Sequence, residues 1–411
     1  MPDERLRTTA LHSRHTALGA TMAPFGGWEM PLWYKAGAVG EHLAVIRAAG
    51  VFDTSHMDVL IVEGDGDRTF LNYAYSRDIA NAKPGRAAYG AFLTADGHCI
   101  DDAVVYPAAD GRHAVVANAG MGPILQKHMQ SLPGAEKTTV REPSERPAKI
   151  DIQGPHALSL VQALFDRKTT EELFAAFPYF SFRGDFELEK SALRLADGTP
   201  VLLSRSGYTG ELGFELFAPR SAIGTIWDRI LADGAPLGVL PCGLAARDSL
   251  RTGATLPLSH QDIGAWPFIN HPWQIALPLL PDGTFSKNFH GASALDPKTA
   301  RHTLAFAGFD PRRVDSHEAK VLLDGLPIGI VTTIVSDMAI GRVDGKIVST
   351  ASPDRPEGWQ PRGLACGFVL VDRPLARGTA ITLKDGRREI AVEIVHDIRP
   401  DRTARKKLPS F

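Results

Sequence analysis

The run Ser204-Arg205-Ser206-Gly207-Tyr208-Thr209-Gly210-Glu211-Leu212-Gly213-Phe214-Glu215 spaces three glycines three residues apart and passes into the alternating Phe214-Glu215-Leu216-Phe217. Glycine tolerates unusual backbone dihedrals and lets another group approach the main chain, and alternation of apolar with polar side chains marks a half-covered strand. The run therefore reads as a turn delivering side chains to a pocket. Glu215 sits at the strand start, and the glycines leave room for a flat ligand beside two carboxylates and a phenol. A glycine-rich hairpin with solvated acids is the plainer alternative.

Outward from this run, aspartate-glycine pairs recur at Asp96-Gly97, Asp110-Gly111, Asp197-Gly198, Asp282-Gly283, Asp324-Gly325, Asp344-Gly345 and Asp385-Gly386. Between short alternating segments such pairs signal hairpins, so largely antiparallel sheets are expected. Apolar residues return at three- and four-residue steps over 40–49, 67–75, 155–165, 170–176, 221–231 and 244–250, which predicts helices there. The fold class is α+β. In Val59-Leu60-Ile61-Val62-Glu63-Gly64-Asp65-Gly66-Asp67-Arg68-Thr69, Thr69 stands where a dinucleotide-binding turn needs its third glycine, so a plain strand-to-helix connection is expected. Residues 281–301 lose periodicity and read as a linker. The short strands and turns of 303–408 read as a separate β domain. The basic tail Arg402-Thr403-Ala404-Arg405-Lys406-Lys407 reads as a solvated terminus.

A chain of 411 residues suggests two or three domains meeting at a shared site. With 44% apolar and 22% charged residues, and 45 basic against 47 acidic side chains, the composition is that of a soluble globular protein without the charge excess of a nucleic-acid binder. Cys99, Cys242 and Cys366 are scattered, which argues against a disulfide framework and a cysteine metal site. The charged start Met1-Pro2-Asp3-Glu4-Arg5, and the lack of any apolar run near the roughly 18 to 20 residues of a membrane span, point to a cytoplasmic protein with no membrane partner.

Three groups of residues carry potential chemistry. Asp101 and Asp102 precede the apolar strand Ala103-Val104-Val105-Tyr106, so their side chains are expected on opposite faces, and one of them can serve a pocket as acid or base. Turn-capping surface acids are the alternative. Arg247 and Arg251 lie four apart near a helix start and suit a carboxylate-bearing ligand, unless Arg247 and Asp248 merely form a surface network. His260, His271 and His290 lack metal-ligand spacing, so no metal site is expected.

Taken together, Phe25-Gly26-Gly27-Trp28-Glu29-Met30-Pro31, Gly50-Val51-Phe52-Asp53-Thr54-Ser55-His56-Met57, Ile100-Asp101-Asp102, Gln153-Gly154-Pro155, Ser206 to Glu211 and Gly243 to Leu250 resemble the T-protein of the glycine cleavage system and the wider family of tetrahydrofolate-dependent one-carbon transferases. The resemblance is strong over residues 8–280 and weaker beyond. It implies a three-domain fold around a central channel, with a folate-binding catalytic region of two intertwined α+β subdomains over 1–300 and a β-barrel-like domain over 301–411. It implies that Asp102 is the catalytic acid-base group beside the pterin N5, and that Tyr89, Val104, Val116, Asn118, Tyr208, Glu215 and Arg247 contact tetrahydrofolate. In that scheme Glu215 accepts adjacent pterin N–H donors and Arg247 meets the glutamate tail.

The chain departs from the family after the arginine-aspartate helix. Arg251-Thr252-Gly253-Ala254 replaces an Arg-Leu-Glu-Ala-Gly run, and Leu258 to Trp273 is rich in aromatic and histidine residues. In the C-terminal region Val335-Ser336-Asp337-Met338-Ala339-Ile340-Gly341 stands in place of a Ser-Gly-x-x-Ser-Pro turn. His260, Trp266, His271 and Trp273 are accordingly the donor-side candidates. The first expectation is an aminomethyltransferase that takes its one-carbon unit from a lipoyl carrier protein and yields methylenetetrahydrofolate and ammonia. The second is an O- or S-demethylase that yields 5-methyltetrahydrofolate from a small methylated compound. A folate-binding repair or assembly protein is the third, disfavoured because the Ser204 to Glu211 run has no cysteine.

Overall fold

A computed structural model describes residues 5–108, 111–315 and 319–408. Asp110 of the expected Asp110-Gly111 turn and the start Met1 to Glu4 lie outside the described residues. A six-stranded sheet runs in the order Phe182–Arg183, Leu202–Ser204, Gly213–Ala218, Ala148–Gln153, Gly50–Asp53, Leu240–Pro241. Only its last pairing is parallel. Between Asp53 and Ala148 the chain leaves to build a five-stranded antiparallel sheet, ordered Ala88–Leu93, Cys99–Pro107, Arg112–Ala117, Asp58–Gly64, Thr138–Arg141. The third unit is a closed antiparallel barrel of His302–Gly308, Leu364–Val371, Leu326–Asp337, Lys320–Leu323, Ala380–Lys384 and Glu389–Val395. Closure removes the open edges that a six-stranded sheet would otherwise expose.

The aspartate-glycine turns explain much of this topology. Asp324 (φ 50°) with Gly325 (φ 81°), and Asp344 (φ 47°) with Gly345 (φ 78°), join adjacent antiparallel strands through two left-handed residues, the type I′ geometry that matches strand twist. Helices occur at all six expected places, among them Gly37–Arg47, Ile223–Gly234 and Leu244–Gly253. His12–Ala17 and Gly122–Gln130 are helices that periodicity did not reveal, the first because it spans under two turns. The strand Asp58–Gly64 runs into the helix Asp67–Ala74 through Gly66 at φ 88° without a parallel crossover, as the missing third glycine implied.

Two expectations change. Residues 281–301 are irregular, yet Phe289, Leu295 and Ala300 are buried in one core with Ala91, Leu93 and Cys99 on one side and Val335, Leu364 and Phe368 of the barrel on the other. Sparse periodicity there reflects a packed irregular segment, in which apolar side chains fill a gap between sheets instead of following one face. The basic tail is also docked: Thr403 Oγ1 accepts from Leu212 N (2.8 Å) and donates to Glu211 (2.6 Å), and Ala404 N donates to Gly210 O (3.0 Å).

Candidate active site

The two sheets pack face to face through Val59, Ile61, Tyr106, Val116, Phe182, Leu202 and Phe217. Where they meet the Leu244–Gly253 helix and the segment before the barrel, a cavity of about 820 Å³ opens. Register decides which side chains reach it. Tyr89 pairs with Val104 and Val104 with Val116 across three neighbouring strands, so these three share a face, and the period of two adds Asp102 and Asn118 at its end. All five line the cavity, as do Tyr208, Glu215 and Arg247 from the other walls.

Asp101 and Asp102 take different positions. Asp102 reaches the cavity and accepts from Tyr89 OH at 2.8 Å, whereas Asp101 is fully buried beneath it. The faces are not fully separate, because the strand pairing slips where Cys99 and Asp101 pass Leu93 and Phe92. Asn118 Nδ2 accordingly donates to Asp101 Oδ1 (2.8 Å) and to Asp102 Oδ1 (3.0 Å), and Ser259 Oγ donates to Asp101 at 3.0 Å. Burial raises the proton affinity of both acids, and the nearby Asp102 charge adds to that of Asp101, which is pushed up to about 8. A raised proton affinity lets a buried carboxyl accept or return a proton, which is the property a general acid-base centre needs.

At the opposite wall the pairing of Glu215 with Asp151 and with Ser204 builds a charge cluster. Lys149 Nζ lies 2.6 Å from Asp151 and 2.5 Å from Glu215, and Arg247 contacts the second Asp151 oxygen at 2.8 Å. Two cations balance two carboxylates, and this pairing holds Asp151 down at about 2 despite its burial. Ser206 also donates to Glu215, with Tyr106 OH more distant at 3.4 Å. A carboxylate offers about four acceptor sites, so Glu215 retains capacity for donors on a ligand. Arg247 is not part of a surface network with Asp248; it pairs with Asp151 and lies 4.8 Å over the Tyr208 ring.

The glycine spacing of the opening run has a different cause from the one its sequence suggested. A Cβ at Gly207 or Gly213 would come within 2.0 or 2.2 Å of the Gln153 amide, and one at Gly210 within 2.4 Å of Arg402. The space is filled by protein. Buried Gln153 donates to Ser206 O (3.2 Å) and accepts from Thr209 (3.0 Å), which locks the turn and so aims Tyr208 and Ser206.

The donor-side candidates are dispersed. Trp273 lines the cavity, its indole N–H donating to Thr255 O at 2.8 Å. His271 is buried behind it, stacked on Trp273 (5.4 Å) and tilted against Phe268 (4.2 Å). Trp266 and His260 are not among the lining residues; His260 is half-exposed, with Nε2 3.9 Å from Asp101. The altered segment therefore offers the cavity Leu258, Ser259, Pro272 and Trp273 instead of a histidine wall. Sequence reasoning assigned no role to His56, Met57, Ser259, Arg402 or Arg405, all of which line the cavity. His56 and Met57 fell within a quoted motif, whereas the arginines belong to a tail whose docking depends on Gly210 to Leu212, far away in the chain. Among the described residues no group of three or more His, Cys, Asp or Glu is placed to hold a metal ion, and no helix is long and apolar enough to cross a membrane.

Comparison with known proteins identifies the family and the fold. The family described as GCVT N-terminal domain matches residues 11–266. An aminomethyltransferase of Streptomyces avermitilis is 34% identical over 342 residues, covering 82% of this chain and 87% of its own. One from Saccharopolyspora erythraea is 32% identical over 383 residues, covering 91% and 99%. The crystal structure of glycine cleavage system aminomethyltransferase T from Bartonella henselae superposes with a TM-score of 0.77 over 98% of this chain and 100% of that one; at 24% identity it speaks for the fold. The chain thus belongs to the GCVT aminomethyltransferase family of folate-dependent one-carbon transferases.

Proposed function

We propose that this protein is an aminomethyltransferase of the glycine cleavage type, which moves a one-carbon unit from a lipoyl carrier protein to tetrahydrofolate with release of ammonia. The observation that carries the proposal is the meeting of Asp102, Tyr89, Asn118, Tyr208, Glu215 and Arg247 around one cavity of about 820 Å³. The residues suit a reduced folate. Glu215 has spare acceptor capacity for pterin N–H groups, Val104, Val116 and Tyr208 offer apolar faces to a flat ring, and Arg405 supplies positive charge at the wall for a carboxylate tail. The charge of Arg247 is already matched by Asp151, so its role is to hold the Glu215 wall and cover Tyr208.

When bound, the folate supplies a nucleophilic amine that takes up the one-carbon unit. Asp102 accepts the proton that this amine releases and returns it to the departing group, held in place for both by Tyr89 and Asn118. Asp101 lies buried beneath Asp102, and Ser259 tethers it to the segment that closes that side of the cavity.

A second reading, an O- or S-demethylase acting on a small methylated compound, is favoured by one feature: the altered segment lines the cavity with Leu258, Ser259, Pro272 and Trp273. Incubation with tetrahydrofolate and either a loaded lipoyl carrier or a panel of methyl ethers and sulfonium compounds separates the two. Methylenetetrahydrofolate supports the first reading and 5-methyltetrahydrofolate the second; neither product from any donor would overturn both.

A further inference from the structure

Lys149 stands in the strand Ala148–Gln153 and is only 3% exposed, yet it is not among the residues that line the cavity. Alternation puts Lys149 and Asp151 on one face of that strand, while Ala148, Ile150 and Ile152 enter an apolar core on the other. A lysine in such a place calls for a reason beyond stability, because a buried ion pair can often be replaced by apolar residues of similar volume without loss. Its ammonium has three donors. They are spent on Thr54 Oγ1 (3.1 Å), Asp151 Oδ1 (2.6 Å) and Glu215 Oε1 (2.5 Å), so none is left for a ligand.

Strand register explains what this ammonium does. Glu215 is the direct cross-strand partner of Asp151, and like charges placed opposite one another repel. Lys149 bridges them, one oxygen of each. The second Asp151 oxygen takes Arg247 (2.8 Å), whose guanidinium lies 4.8 Å over the Tyr208 ring. The second Glu215 oxygen accepts from Ser206 and, at 3.4 Å, from Tyr106 OH. Glu215 therefore lines the cavity with a carboxylate held at both oxygens by protein groups. Of the two cations at this wall, Arg247 lines the cavity and Lys149 reaches it only through Glu215 and Asp151.

We propose that Lys149 is a positioning residue for folate binding: from outside the cavity it fixes the Glu215 carboxylate against Asp151 and so presets the acceptor that meets the pterin N–H groups. The proposal rests on the reading of the cavity as a folate site. Without the ammonium, Glu215 and Asp151 face each other unbridged, and Glu215 loses the anchor on one oxygen. The ligand then has to order that carboxylate as it binds, which lowers affinity.

The test is read without turnover, by titration calorimetry of tetrahydrofolate on the full chain. Lys149→Met should raise the Kd about 10- to 100-fold, the range of one charge-assisted hydrogen bond, with the stoichiometry of the wild type. Lys149→Arg keeps the charge and should recover part of the loss. In a Glu215→Gln background Lys149→Met should change the Kd by less than about twofold, because its effect passes through Glu215. A Kd for Lys149→Met within twofold of wild type would overturn the proposal. So would an equal loss with and without Glu215, or a fall in stoichiometry at unchanged Kd, the mark of a residue needed for folding alone. Should Lys149→Met not fold, the ¹⁵N signal of the Lys149 ammonium in wild-type protein, identified by its absence from Lys149→Arg, decides the matter. Bound tetrahydrofolate should shift it through Glu215, and an unmoved signal overturns the proposal. If the wild-type protein does not bind tetrahydrofolate at all, it is the reading of the cavity that fails, and the proposal with it.

Discussion

Two residues on opposite walls of the cavity, Asp102 and Glu215, differ in what their surroundings make of a carboxylate. Asp102 is held by Tyr89 and Asn118 and has no lysine or arginine ion partner among the described residues, and burial raises its proton affinity. Glu215 is paired with Lys149 at 2.5 Å and hydrogen-bonded by Ser206. Asp102→Asn is therefore expected to lower kcat by about 10²- to 10⁴-fold, the range of a lost general acid-base group, with the Kd for tetrahydrofolate nearly unchanged. Glu215→Ala should do the reverse and raise the Kd. Both effects are read by pairing steady-state kinetics with calorimetry, and equal small effects of the two variants would remove the assignment.

The raised proton affinities of Asp101 and Asp102 give a signed pH dependence. Both groups are shifted upward, and a base must be deprotonated to act, so kcat should rise with pH as Asp102 loses its proton and should be depressed under acid conditions. Burial raises Asp102, whereas Asp101 also feels the Asp102 charge and keeps its own proton to higher pH, so Asp101→Asn should leave the acid limb set by Asp102 in place. A limb that moves to lower pH in this variant would show instead that Asp101 is charged while Asp102 titrates.

At the scale of elements, the site depends on contacts that cross from the Leu244–Gly253 helix and the glycine-spaced turn to the barrel. Arg399 is buried between Asp337 (2.7 Å) and Glu211 (3.4 Å) and also donates to Thr209 O; Asp337 in turn accepts from His42 at 3.0 Å. Replacing one partner of a buried ion pair leaves the other charge unmatched, at a cost of about 3–5 kcal/mol. Arg399→Met should lose stability of that order in urea denaturation, far more than removal of the exposed pair Arg167 and Glu171, whose contribution is about 0.3–0.5 kcal/mol. Arg251 and Asp262 form a second stitch: Asp262 also accepts from Thr332 (2.8 Å) and Thr333 (2.7 Å) of the barrel and fixes the segment that carries Ser259.

Over the whole molecule, the barrel closes its own hydrogen-bond ladder but not its apolar surface. Val335, Ile340, Leu364, Cys366, Phe368 and Ile398 share a core with Ile269, Trp273, Phe289 and Leu295, so the sheets part near residue 300 while the core does not. A fragment comprising residues 301–411 would expose these side chains, and exposed apolar area costs about 25 cal/mol per Å². It is expected to show no cooperative thermal transition of its own, whereas the full chain should unfold with coincident transitions in far-UV and near-UV circular dichroism. A sharp transition for the isolated fragment would instead mark the barrel as an independent unit.

What the linear sequence determined is what local physics determines. The aspartate-glycine pairs Asp324-Gly325 and Asp344-Gly345 foretold hairpins because the left-handed turn is a property of those two residues. The six predicted helices follow from periodicity within each segment, and the shared cavity face of Tyr89, Val104 and Val116 was legible because strand period places them in one register. Tertiary structure alone decided the rest. Gly207 and Gly213 are required by Gln153, a residue more than fifty positions away, and not by a ligand. The histidine-rich segment sends only Trp273 of its four candidate residues to the cavity, because His271 is used in packing and His260 turns outward at φ 62°. The basic tail joins the site because Thr403 and Ala404 bond to the turn at Gly210 to Leu212. Each of these depends on which distant side chain fills a given space, and that information resides in packing between elements and in no one stretch of the chain.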